Sequence, residues 1–282
     1  MKLLLVLFSC ISVIAFTQTA AYQLYDKSGK KVSFEKMAKK LADKDVILFG
    51  ELHNDPIAHW MQYKLTQYLH ELGSLSLGAE MIEADDQLYL DDYLAGVLDQ
   101  KGLDTLARLW FNHNTDYKPL VDFAKNNKLP FIATNIPRRY ASKVYKNGFG
   151  ILEEVSDAEK DWIAPLPIPY DPELPGYKAM QTMMSDHANE NFPKAQAIKD
   201  ATMAHFIVQH LTDNPRTFLH FNGAYHSNNF EGIFWYIKQY NPALTIGTIS
   251  TVLQGDVNQL KPAHKGIADF VLVVDEDMTT TY

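Results

Sequence analysis

The chain has one cysteine among 282 residues, Cys10. A disulfide framework is therefore excluded, and so is thiolate chemistry in any form of the chain cut beyond that residue. No apolar run reaches the roughly 20 residues that a membrane-spanning helix requires. The longest, Leu3 to Phe16, is broken by Ser9, Cys10 and Ser12. There is no Gly-x-Ser-x-Gly elbow, so a serine nucleophile of the hydrolase type is not indicated. Positive charge is in deficit: 26 basic residues face 34 acidic ones, a formal net charge of −8. That balance argues against nucleic acid or an anionic membrane as the main partner. Solenoid repeats, low-complexity tracts and linker-like stretches are also missing.

What is present begins with a leader. Met1-Lys2 gives a positive start, Leu3 to Phe16 an apolar stretch, and Thr17-Gln18-Thr19-Ala20-Ala21 a small, polar end. This is the order of a secretory signal peptide. Residues 1–21 are expected to be removed, and 22–282 to form a single exported α/β domain, periplasmic or outer-membrane-associated. Without Lys2 the formal charge is −9, from 25 basic and 34 acidic residues. Leu7-Phe8-Ser9-Cys10 resembles a bacterial lipobox. Cleavage before Cys10 would leave a lipid-anchored protein.

Six short apolar runs read as buried strands: residues 45–50, 75–80, 129–134, 216–221, 244–249 and 270–274. Helical patterns alternate with them. Pro56 to Leu72 carries Ile57, Trp60, Met61, Leu65, Tyr68 and Leu69 at spacings of three and four. Leu120 to Lys128, Ala195 to Leu211 and Phe230 to Tyr240 lead into later strands. Alternation of this kind predicts a central, mostly parallel sheet flanked by helices. Two inserts, 83–115 and 138–195, are longer than a crossover needs. They are expected to form a helical cap over one sheet edge.

Ligands of open α/β sheets bind beyond the carboxyl ends of the strands. The residues found there are Gly50-Glu51-Leu52-His53, then Glu80, then Asn135-Ile136-Pro137-Arg138-Arg139, then Gly223-Ala224-Tyr225-His226. Two of these four segments carry Gly-x-x-His. Glycine lets the chain turn and lets backbone approach a ligand. Imidazole can coordinate a metal, carry protons or bind a carboxylate. A carboxylate at a buried strand end needs a partner of opposite charge. Arginine offers a forked donor for carboxylates. The candidate pocket is thus Glu51, His53, Glu80, Asn135, Arg138, Arg139 and His226. Glu51 is open to a second reading as a turn cap, and Arg138 and Arg139 to one as a solvated helix start. The other histidines, His59, His70, His113, His187, His205, His210, His220 and His264, read as surface or satisfied core residues.

These segments resemble the ChaN family. The resemblance rests on Phe49-Gly50-Glu51-Leu52-His53, Gly78-Ala79-Glu80-Met81, Ile132-Ala133-Thr134-Asn135-Ile136-Pro137-Arg138, Asp200-Ala201-Thr202-Met203-Ala204 and Gly223-Ala224-Tyr225-His226, in that order along the chain. ChaN-like proteins are bacterial haem-binding proteins associated with iron uptake. They belong to a wider group with Tiki-type metalloproteases and erythromycin esterase. The resemblance implies a homodimer that holds haem between subunits, with a tyrosine as axial ligand. Among 15 tyrosines, Tyr170 and Tyr177 in the second insert are the candidates.

Two functions therefore stand side by side. One is a haem-binding protein of haem or iron acquisition. The other is a metal-dependent hydrolase, peptidase- or esterase-like, in which His53, Glu80 and His226 hold a divalent metal ion and Arg138 steadies an oxyanion. The leader makes its own prediction. Mass spectrometry of the exported protein should find an N-terminus at Ala21 or Tyr22; a diacylated Cys10 would replace that reading with the lipid anchor.

Overall fold

The computed structural model describes residues 20–183, 189–214 and 216–282. The leader through residue 19, with Cys10, lies outside the described residues, as does His187. Seven strands form one sheet: β1 (Tyr22–Asp26), β2 (Val46–Glu51), β3 (Leu75–Glu83), β4 (Phe131–Asn135), β5 (Thr217–Gly223), β6 (Ile246–Gln254) and β7 (Phe270–Asp275). Their order is β1-β7-β6-β2-β5-β3-β4. Every pair is parallel except β1 with β7. The six expected strands are there, extended at their carboxyl ends. β1 was not anticipated. It is a five-residue edge strand whose burial does not alternate cleanly, so neither a period-2 signal nor a long apolar run marks it.

Ten helices accompany the sheet among the described residues: α1 (Phe34–Leu41), α2 (Pro56–Leu72), α3 (Gln87–Ala95), α4 (Gln100–Leu106), α5 (Lys118–Asn127), α6 (Arg138–Asn147), α7 (Asp157–Lys160), α8 (Pro175–Met183), α9 (Phe192–Asp213) and α10 (Ile233–Tyr240). α2 starts where its sequence says it should. The Asp55 side chain accepts from the Ala58 N–H, and Pro56 occupies the first turn, where its missing donor is no loss.

β2 lies near the middle, between β6 and β5, and all six of its residues are buried. Ile47 and Phe49 join Leu219 and Phe221 of β5 on one face, under α1, α2, α3 and α5. Val46, Leu48 and Phe218 point to the other, under α9, α10 and α8. Burial on both faces explains the unbroken apolar run, since alternation appears only where one face meets water. The two inserts divide between these layers. Leu90, Tyr93 and Leu103 of α3 and α4 sit in the first core. Tyr140, Ala141 and Val144 of α6 pack with Ala195 and Ile198 of α9 on the second side. The single cap expected over one edge is thus two separate additions, because each insert buries its apolar stripe in the nearest core.

Strand order places the site. β5 inserts between β2 and β3, so the ends of all three lie side by side: Gly50 opposite Asn222, Glu51 opposite Gly223, and Ala79 opposite Phe221. The chain runs one way from β2 to β3 and the other way from β5 to β6, which opens a crevice at the carboxyl edge. Gly50 lets the first two ends close up. A Cβ there would lie 2.8 Å from the Ala224 Cα and 3.0 Å from the Ile249 oxygen, both backbone. Gly50→Ala is therefore expected to destabilise the fold by about 1–3 kcal/mol. Wild-type stability in urea would show that the loops separate freely.

Candidate functional site

Two histidine–carboxylate systems meet at this edge. In the first, Glu51 ends β2 with 1 % of its surface exposed. Its Oε1 accepts from His53 Nδ1 at 2.8 Å and from the Tyr117 hydroxyl at 2.7 Å, and its Oε2 from Gln62 at 2.6 Å. Burial alone would raise this carboxyl, but the hydrogen bonds from His53 and His59 outweigh it and hold it below its usual range. With Nδ1 on Glu51, His53 keeps Nε2 beside Gly223 and Glu80. The His53 ring packs edge-on against Trp110 at 4.8 Å. Its backbone oxygen faces His59 Nε2 at 3.1 Å and accepts from Asn112 at 3.2 Å. His59 is thus a brace in the interior, in line with its reading as a satisfied core histidine.

The second system is more deeply buried. Glu80 Oε2 accepts the Gly223 N–H at 2.7 Å, and its Oε1 lies 3.1 Å from His226 Nε2. His226 Nδ1 lies 2.5 Å from Asp200 of α9. Burial disfavours an imidazolium, yet the two carboxylates push the His226 pKa up to about 10. Burial also opposes the Glu80 charge, but His226, His53 and the Gly223 amide hold that carboxyl far below its usual range. Asp200, wholly enclosed and close to Glu80, is pushed up by burial despite His226. At neutral pH His226 is a cation with both ring N–H groups donated to carboxylates.

Gly223 is where the systems touch. A Cβ on it would lie 2.8 Å from His53 Nε2 and 3.5 Å from Glu80 Oε2. Neither motif glycine lies in the left-handed region, so they supply space here, not a left-handed turn.

The carboxyl edge opens into a cavity of about 1040 Å³. Glu51, His53, Gln196 and His226 form its polar side; Met180, Phe192, Ala224, Val252, Leu253 and Ile267 form its apolar wall; Tyr225 and Tyr282 bring phenols to it. A second cavity of about 700 Å³ adjoins it at Tyr282 and is bordered by Glu83, Arg108, Trp110, Phe111, Arg138 and Arg139.

Residues 37–237 match the family described as haem-binding uptake, Tiki superfamily, ChaN. The chain belongs to that family. Its fold is like that of ChaN of Campylobacter jejuni, whose structure was solved as a cofacial haem complex: 20 % identity, 90 % of this chain and 97 % of that one, TM-score 0.68. More distant folds include a Bacillus cereus protein at 12 % identity, covering 90 % and 95 % of the two chains, TM-score 0.53. The type III effector HopBA1, at 12 % identity and 86 % and 94 % coverage, gives 0.50. A sequence comparison with curated proteins finds no match.

Of the ChaN-like residues singled out in the sequence, Glu51, His53, Glu80 and His226 converge. Asn135 stands behind them, its amide donating to the Glu80 backbone oxygen at 2.9 Å. Arg138 and Arg139 do not reach the main cavity. Both are exposed at the start of α6 and border the adjoining one, where Arg139 pairs with Asp85 at 2.5 Å. The metal set His53, Glu80 and His226 is not supported. His226 has no free lone pair while it bridges Glu80 and Asp200, and among the described residues no group of three or more His, Cys, Asp or Glu is spaced to hold an ion.

Neither tyrosine candidate borders the main cavity. Tyr177 is buried in the core, its hydroxyl donating to Asp200 at 3.1 Å, and burial drives its phenol far above the usual range. Tyr170 stacks on it at 5.5 Å. The segment folds inward there, with Tyr177 in the core that α9 covers and Tyr170 packed against it. Sequence reasoning missed Asp200, Gln196, Tyr117 and Tyr225. Asp200 opened a segment already quoted and was not counted among the pocket residues, although it carried a signal as a lone carboxylate beside Ala197, Ala201 and Ala204. Tyr225 lay inside a motif already quoted. Gln196 and Tyr117 had none.

The buried cation yields a prediction. His226→Gln leaves two enclosed carboxylates without it and should cost about 3–5 kcal/mol, partly recovered by Glu80→Gln in the same chain. The pH dependence follows in sign. The raised His226 pKa stabilises fully below its ordinary value of 6.5 and is lost as pH rises toward about 10. The lowered Glu80 pKa stabilises above its ordinary 4.5 and is lost as pH falls. Urea unfolding at pH 6 and pH 9.5 should show a larger decline for wild type than for the double variant. Equal declines would remove the buried imidazolium.

Proposed function

We propose that the protein binds haem in the main cavity and serves haem or iron acquisition after export. The observation that carries this reading is a large, mostly apolar cavity in a chain of the ChaN family, with a phenol on a rigid motif loop at its wall. Its volume, about 1040 Å³, is at the upper end for small-molecule sites, which run to about 1,000 Å³. The donor set suits the group as well. Tyr225, between Gly223 and His226, is 43 % exposed and borders the cavity. Its phenolate is an anionic oxygen ligand of the kind that ferric haem accepts from tyrosine. Ferric haem would supply the Lewis acidity; the chain would supply the ligand, the apolar wall and the exclusion of water.

The buried ion system holds this loop still. His226 is fixed through both ring nitrogens and Gly223 through Glu80, so Tyr225 between them has a set position. Leu253 and Tyr225, both exposed at the cavity mouth, leave apolar surface that a second copy of the chain would cover, in keeping with a homodimer. Export to the periplasm or outer membrane, with or without a lipid anchor on Cys10, rests on the leader.

Hydrolysis remains the second reading, and one observation favours it: His53, aligned by Glu51, keeps Nε2 available beside the cavity as a general base. The two readings separate at His53→Ala. This change leaves a tyrosinate haem spectrum intact in the first and abolishes turnover in the second.

Titration with hemin tests the main reading. Wild type should bind one hemin per chain with a tyrosinate-type ferric spectrum, lost in Tyr225→Phe and retained in Tyr170→Phe, Tyr177→Phe and Tyr282→Phe. Loss in Tyr282→Phe alone would move the ligand to that residue. No specific hemin binding by wild type would end the haem reading.

A further inference from the structure

Helix α8 hangs on the site. The Tyr225 hydroxyl donates to the Gly176 carbonyl at 2.9 Å, and the Glu231 carboxylate accepts the Gly176 N–H at 2.7 Å. At the next residue, the Tyr177 hydroxyl donates to Asp200, the carboxylate that also holds His226. Met180 of the same helix is buried and forms part of the main cavity's wall. The first turn of α8 is thus tied to the loop after β5 through both backbone groups of Gly176, and its second turn borders the cavity.

We propose that Tyr225 is a latch on α8, shut while its hydroxyl donates to Gly176 and opened when its oxygen becomes an iron ligand. The inference rests on the reading of Tyr225 as the haem ligand. A phenol donates a hydrogen bond; a phenolate has no proton to donate. On ligation the phenolic proton leaves as water with the hydroxide that ferric haem carries in neutral solution, so no other reactant is needed. The oxygen then faces the Gly176 carbonyl, acceptor against acceptor. Glu231 still holds the Gly176 N–H, so the helix loses one of its two ties at that residue and keeps the other.

The surroundings keep the latch shut in the empty protein. There the Tyr225 hydroxyl donates to the Gly176 carbonyl at 2.9 Å, and the Glu231 and Asp200 carboxylates stand near it. These are the charged groups that face it from its own loop and from α9; α8 presents the Gly176 carbonyl. Filling the cavity without taking the phenolic oxygen does not release α8. Loaded and empty proteins therefore differ on one outer face, which a haem donor or acceptor would meet.

Hydrogen–deuterium exchange of the full chain tests the latch, with hemin and metal-free protoporphyrin IX as the two probes. Both fill the cavity; only hemin takes the oxygen. Amides of residues 176–183 should exchange about fivefold faster with hemin than with protoporphyrin, which at about 1.4 kcal/mol per tenfold corresponds to one hydrogen bond of about 1 kcal/mol. Unloaded Tyr225→Phe should show the same acceleration, with peptides of β2 and β5 unchanged. A tyrosinate spectrum with equal α8 exchange under both probes would overturn the latch and leave the haem site standing. Wild-type α8 exchange in unloaded Tyr225→Phe would also overturn it. A hemin complex without a tyrosinate spectrum would remove the ligand reading and the latch together.

Discussion

The arrangement depends on one buried cation. His226 lies between Glu80 of β3 and Asp200 of α9, with a ring nitrogen directed at each. Removing a carboxylate from water costs several kcal/mol, so Glu80 and Asp200 are tolerable inside only because this imidazolium and their other donors are present. The three residues come from three separate elements, and their attraction therefore fixes α9 and the β5 loop against β3. Replacement by apolar residues of equal volume would fold as well on general grounds. That a charged system stands here points to what it holds in place: a short loop with a phenol on the cavity wall.

The first system, around Glu51, works by a different balance. Its carboxylate is satisfied by neutral donors, Tyr117 and Gln62, as well as by His53. His53 is partly exposed and free at Nε2, whereas His226 is enclosed and engaged at both nitrogens. Two identical Gly-x-x-His motifs thus serve unlike ends. One presents an imidazole to the cavity; the other locks the loop that carries Tyr225. The motif glycines act by the same means in both, leaving room for a neighbouring chain or ring where a methyl group would collide.

Much of this was legible in the sequence. The strand run Val46 to Gly50 and the capped helix from Pro56 carry short-range signals, a doubly buried apolar stretch and an Asp-Pro start, which tertiary context did not override. The convergence of His53, Glu80 and His226 followed from the rule that strand ends gather at one edge. What stayed hidden depended on partners distant in sequence. Asp200 stood out as a charge on an apolar helix face, yet nothing local named His226 as its partner 26 residues away. Tyr177 looked like a ligand because composition alone does not tell an aromatic residue facing a cavity from one facing a core. Arg138 and Arg139 follow the right strand, but β4 is the edge strand, one position beyond the crevice.

The central claim is that the phenolic oxygen of Tyr225 is the axial ligand of ferric haem. Resonance Raman spectroscopy of the hemin complex, prepared from protein with ring-deuterated tyrosine and repeated with Tyr225→Phe, tests it most directly. The account expects phenolate bands that shift with deuteration and vanish in the variant. Bands insensitive to deuteration, or bands that persist in Tyr225→Phe, would contradict it.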